Sequence, residues 1–241
     1  MNKGDRRLLK PPTGWSPAFK QYLLKLCRIS SLGYASSGVM HEMGNAMTVI
    51  SGNAQIIQFK INDMTAEQTL ERMDVILGQI ARMLEAIENT GSMSIRVSGE
   101  PLTFDPAMAL TAALYAFSRR CNLAQIEVAK PEPAANPAPI YADRYLLEYI
   151  LFEAFDFFLW EDWTEASIHL AVSYDRPDWT LTTEIRSSQS AAVIDSLFER
   201  SDVEELLSGC LTGLESMNGG LELFRKPDVL GWNLRIPLKA I

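Results

Sequence analysis

The chain contains two histidines, and one of them, His41, has an acid beside it and an amide one helical turn on: VMHEMGNAMTVI, residues 39–50. A neutral imidazole is a nucleophile near neutral pH, because its unperturbed pKa is ~6.5. Attack through one ring nitrogen leaves the other carrying a proton. Glu42 can accept a hydrogen bond from that nitrogen and fix the tautomer. Asn45 lies at i+4, on the same helical face, where its amide could orient a water or a phosphoryl oxygen. Thr48 continues that face. One His with one Glu is also the pattern of a solvated helix histidine, and spacing alone favours that bystander. No Cys or second His lies near enough in sequence to suggest metal ligation. His169, in ASIHLAVSYD, falls opposite Ile168, Leu170 and Val172 and reads as structural or exposed.

A long helix must carry His41. From about Ser16 to Asn62 proline is absent beyond Pro17. Apolar or small residues recur at Leu32, Ala35, Val39, Met43, Ala46, Ile50, Ala54, Ile57 and Ile61. Steps of three and four are helix periodicity. A helix of roughly 40 residues is ~60 Å long and needs partners along its length. A seam on Leu32, Val39 and Ala46 puts His41 on the flank that faces water. INDMTAEQ breaks the pattern, and Thr65 with Gln68 starts a second helix as a capping box. Leu70, Met73, Ile76, Leu77, Ile80, Met83, Leu84 and Ile87 follow at helical spacing. The two make a hairpin, and two hairpins from two chains pair economically as a four-helix bundle.

After Pro101 the texture is α+β. PLTFDP is a short extended piece, residues 106–120 a helix, QIEVA a strand and KPEPAANPAP a broken polar loop. A helix follows over 144–160, rich in Phe and Trp. ASIHLAVSYD and DWTLTTEIRS are strands, helical pieces follow around 190–199 and 203–217, and GGLELFR and GWNLRIPL close as a strand pair. This predicts a sheet covered on one face by helices. The aromatic run FEAFDFFLWEDW reads as core rather than as a partner groove. The expected division is a loose lead-in over 1–15, a helical hairpin over 16–95 and a sandwich over 96–241.

Composition bounds the partners. A net charge of −8 and a pI near 4.9 argue against a nucleic-acid binder. Cys27, Cys121 and Cys210 are odd in number and far apart, so they read as reduced and buried in a cytoplasmic protein. No apolar run reaches the roughly 18 residues of a membrane span, and the basic start has no apolar stretch behind it.

SLGYASSGVMHEMGNAMTVISGNAQII resembles the phosphoacceptor segment of sensor histidine kinases. The shared residues are Leu32, Gly33, Ala35, Gly38, His41, Glu42, Asn45, Ile50, Gly52, Asn53, Ala54 and Gln55. The resemblance implies a dimeric bundle, with His41 carrying the phosphoryl group, Glu42 assisting as base and Asn45 positioning water. Ala46 stands where the family usually has proline, which puts the local bend in doubt. It also implies that residues 96–241 are an α/β sandwich of the histidine-kinase ATPase type. There the likeness departs in three places. Glu153 and Phe157 align with two asparagines, the second a Mg²⁺ ligand, and a phenyl ring cannot ligate a metal. RSSQSAAV lacks the expected D-x-G-x-G. ELLSGCLTGLESMNGG keeps Gly209 and Gly213 but no G-x-G doublet to wrap phosphates.

The expectation is therefore phosphotransfer through His41 to or from a response-regulator receiver aspartate, in a histidine phosphotransferase of bundle-plus-pseudokinase type. No ATP or Mg²⁺ is expected on this chain, the receiver supplying its own Mg²⁺. Met40, Gly44 and Thr48 would dock the receiver, and a cognate histidine kinase is a further partner class. The alternatives are an active kinase with a divergent ATP site and a scaffold without a phosphorylated state.

Overall fold

The stretch without proline beyond Pro17 forms one helix, α1, Pro17–Lys60, of 44 residues. Pro17 at the first helical position costs no hydrogen bond, and the Ser16 hydroxyl accepts from Phe19 N at 3.2 Å. The second helix, α2, spans Ala66–Asn89. Its start is the capping box read from sequence: Gln68 N donates to Thr65 Oγ1 at 3.2 Å, and Thr65 N donates to Gln68 Oε1 at 3.1 Å. Asn53 and Arg72 lie about equally far from the connecting turn and are hydrogen-bonded at 2.9 Å, so the helices fold back on each other. This computed structural model describes residues 5–89, 99–129, 131, 137–159, 163, 165–175, 177–188 and 191–238. Within its elements the side chains of 32, 34–39, 41–42, 85–86, 88–89, 119, 123 and 191 lie outside that description.

The chain divides into two compact units, Leu32–Arg96 and a second made of Met1–Ser31 with Val97–Ile241. The second unit is an α+β sandwich. Its main sheet has the order β1-β7-β8-β6-β5-β3. These strands are β1 Arg6–Leu9, β3 Glu127–Ala129, β5 Ser167–Ser173, β6 Asp178–Arg186, β7 Gly220–Lys226 and β8 Val229–Pro237. Neighbours are antiparallel except β3 and β5. A separate pair joins β2 Leu102–Phe104 to β4 Ile140–Ala142. The helices are α3 Pro106–Leu123, α4 Arg144–Asp156, α5 Ala191–Glu199, α6 Val203–Leu206 and α7 Ser208–Ser216, with a 3-10 turn at Phe157–Leu159.

Alternation in β6 buries Trp179, Leu181, Thr183 and Ile185 and leaves the residues between them half-exposed. Trp179, Trp232, Phe117, Phe155, Phe157 and Phe158 are all fully buried. Phe155 stacks on Phe117 at 5.0 Å, and Trp232 Nε1 donates to Ala154 O at 3.0 Å, tying β8 to α4. The described members of the aromatic run are thus core. The three cysteines are free and buried. Among the described residues no helix is long and apolar enough to cross a membrane, and no His, Cys, Asp and Glu group could hold a metal ion.

The structure differs from the sequence reading at the start of the chain. Residues 1–15, expected to be a loose lead-in, include β1, which pairs with β7 from Arg6↔Phe224 to Leu9↔Leu221. Arg7 reinforces it by donating to the carbonyls of Phe198 and Arg200 at the end of α5. The first turns of α1 also belong to the sandwich unit, so the units divide at 31/32 rather than at 15/16. The helical piece expected over 203–217 is broken at Leu207 into α6 and α7.

Candidate functional site

His41, Glu42, Asn45 and the surrounding Met40, Gly44 and Thr48 all lie on α1. The side chains of His41 and Glu42 are outside the described residues. Their neighbours one turn on are described. Gly44, Asn45 and Thr48 are exposed, and Met40 is 68% exposed. Positions 40, 44 and 48 share a helical face, and 41, 45 and 48 share the strip beside it. Every described position on that surface is open to solvent. Thr48 turns its hydroxyl along the helix, donating to Gly44 O at 2.9 Å. Ala46, where the resemblance expects proline, keeps its N–H, and α1 runs through it unbroken.

The positions implied as nucleotide contacts are found on α4 and its neighbours. Phe157 opens the 3-10 turn, is 1% exposed and packs against the Phe158 ring at 5.9 Å. A buried phenyl there fills core and offers a metal no oxygen. The glycine-bearing segment is helical. Gly209 and Gly213 sit one turn apart on α7, both buried. A Cβ on Gly213 would lie 2.8 Å from Ile150 Cδ1, and one on Gly209 would lie 2.8 Å from Tyr149 Oη. The pair lets α7 approach α4 closely, and Cys210 Sγ meets Ile150 O at 3.8 Å. Sequence reasoning placed these glycines as what remains of a lid; their structural use is helix packing.

Sequence reasoning missed a cluster around the first turns of α1. Cys27 Sγ accepts from the Tyr149 hydroxyl and would stand 3.0 Å from a Cβ on Gly209. Burial pushes the Cys27 thiol up to about 11; the Tyr149 hydrogen bond opposes this, the Glu153 charge adds to it and the Arg28 charge opposes it. Burial also raises the Tyr149 hydroxyl, with Cys27 and Glu153 adding to it. Arg28 Nε donates to Asp143 Oδ2. The other carboxylate oxygen of Asp143 caps α4, accepting from Tyr145 N and Leu146 N at 3.1 Å each. Gly99 has φ +64, a conformation that other residues rarely adopt, and a Cβ there would fall 2.3 Å from Arg28 Cζ. The one local signal that could have pointed to this cluster is the aspartate just before RYLLEY, which stands at the N-cap of α4.

No family model matches the chain, and no curated protein matches it. Solved structures do. The histidine kinase AdeS of Acinetobacter baumannii is 17% identical over 83% of this chain and 98% of its own, with a TM-score of 0.47. A histidine kinase from Burkholderia phymatum is 13% identical over 84% of this chain and 98% of its own, with a TM-score of 0.48. The histidine kinase ThkA, crystallised in complex with the response regulator protein TrrA, is 16% identical over 89% of this chain and 64% of its own, with a TM-score of 0.46. These three solved structures, to which the chain is similar at 13–17% identity, are histidine kinases.

Proposed function

We propose that this chain is a homodimeric phosphotransfer protein of a two-component pathway, working through His41. A ring nitrogen of His41 attacks the phosphorus of an aspartyl phosphate on a response-regulator receiver. The P–O bond to the aspartate breaks, and its carboxylate leaves with the electron pair. The second ring nitrogen keeps its proton, and Glu42 stabilises the imidazolium. The reverse transfer uses the same groups. Asn45 positions a phosphoryl oxygen or water, and Met40, Gly44 and Thr48 dock the receiver, which brings its own Mg²⁺.

The observation that carries this reading is the VMHEMGN run on one unbroken helix, with every described position on the His41 surface exposed. Dimerisation is supported by α2. Leu70, Met73, Leu77, Ile80, Leu84 and Ile87, in steps of three and four, are all exposed. Such an exposed apolar row at this spacing supports a coiled-coil seam closed by a second copy. Phosphate is proposed to come from the receiver and not from ATP, because Phe157 is buried core and the glycines of α7 are spent on packing. ThkA was crystallised with a response regulator protein; the same partner class is proposed here.

The test is labelling. Incubate the protein with labelled ATP alone, then with a labelled phospho-receiver. Acid-labile label is expected only from the receiver, and His41→Ala should abolish it. Label from ATP alone would make the chain a kinase, and label surviving in His41→Ala would remove His41 from the chemistry.

A further inference from the structure

The first turns of α1 lie against the part of α4 and α7 where the resemblance locates nucleotide contacts. Cys27 meets Tyr149 and Gly209, and the Glu153 carboxylate, at the first asparagine position, is close enough to act on its thiol. Leu23 and Leu24 pack against the core from the same helix. Positions that would face a ligand are met instead by the chain's own residues.

Charge holds this segment in place. The first 31 residues contain seven of the 22 Lys and Arg but one of the 30 Asp and Glu. Four of those cations reach acids on the rest of the unit. Arg6 pairs with Glu222 at 3.0 Å, Lys20 with Glu215 at 2.6 Å, Arg7 with Glu204, and Arg28 with Asp143. Arg28–Asp143 is the most buried, with side chains 16% and 8% exposed. Exposed pairs contribute little, whereas removing one member of a buried pair strands the other.

We propose that residues 20–28 of α1 are a resident plug on the α4–α7 face, latched by Arg28 to Asp143, that keeps a nucleotide off this face. The proposal rests on reading the sandwich as a nucleotide-binding scaffold. It adds occupancy to the loss of ligands as a reason for ATP-independence.

Peptide-resolved labelling with N-ethylmaleimide tests it in the full-length protein, with Cys121 on α3, 0% exposed, as the internal reporter of global unfolding. In the wild type, Cys27 should be as protected as Cys121, with or without Mg-ATP. In Arg28→Gln, Cys27 should react roughly tenfold faster or more while Cys121 keeps its wild-type rate. Cys27 reacting freely in the wild type, unchanged in the variant, or rising only together with Cys121 would overturn the plug. So would Mg-ATP binding while Cys27 stays protected. Mg-ATP binding that quickens Cys27 alone would uphold the plug and sink the ATP-independent reading, which separates the two.

Discussion

Replacing Gly209 by alanine separates a packing glycine from a phosphate-loop remnant. At an exposed helical position the change is favourable by about 1 kcal/mol, because alanine loses less backbone freedom on folding. In α7 the new methyl would stand 2.8 Å from Tyr149 Oη and 3.0 Å from Cys27 Sγ. Both contacts are closer than ordinary van der Waals separation, and both atoms belong to one buried hydrogen-bonded pair. Overpacking a filled interior costs about 1–3 kcal/mol, and parting the pair adds about 1 kcal/mol. Against the helix gain, the net effect is a loss of about 1–3 kcal/mol. Urea unfolding followed by tryptophan emission measures it, because all five tryptophans lie outside residues 32–96 and report the sandwich unit. Gly78→Ala on α2 is the control, since a Cβ there meets nothing within 4 Å. It should leave the tryptophan midpoint unmoved and strengthen α2. A Gly209→Ala protein as stable as the wild type, or more stable, would refute the close approach of α7 to Tyr149 and Cys27.

Leu77→Glu should turn the proposed dimer into a monomer in sedimentation with the tryptophan midpoint unchanged; a wild-type protein that sediments as a monomer would remove the dimer, and a dimer persisting in the variant would place the interface off the α2 seam. Alkaline stability should follow the buried thiols. Burial holds Cys27 at about 11 and Cys121 at about 12, against an ordinary 9.0. The unfolded thiols ionise first, so stability is level below pH 9 and falls as pH rises through 9 to 11. Cys27 alone accounts for about 3 kcal/mol of that fall. Urea midpoints at pH 8 and 10.5 measure it, and a Cys27→Ala variant with the full wild-type slope would contradict the assignment.

The hairpin was legible because its signals are local. Steps of three and four mark α1 and α2, and the Thr65–Gln68 box marks the second start. β6 was legible by alternation. β1 was not, because RRLL does not alternate and its partner strand begins at Gly220, beyond any local pattern. β4 is too short, at three residues, to carry a period. At the candidate site, the His41 surface could be read from spacing, since neighbours on one helix are set by geometry alone. The Cys27–Tyr149–Gly209 contact joins three distant segments and leaves no periodic trace. The glycines at 209 and 213 spell the same letters in a loop and in a helix; only the helical state of α7 decides their use.

The pairing of β1 with β7 also sets an order of events during translation. β1 must wait for β7, because Leu9 finds Leu221 only after some 200 further residues exist. At roughly 5–20 residues per second the interval is on the order of 10–40 seconds. The helical hairpin, built from local contacts, can form within that time, whereas the sandwich cannot close its sheet. Until then Leu9, buried in the finished fold, has no strand to cover it. A nascent chain stalled before Gly220 therefore leaves the basic, apolar RRLL segment unpaired, and synthesis of β7 is the step that lets this edge of the sheet close.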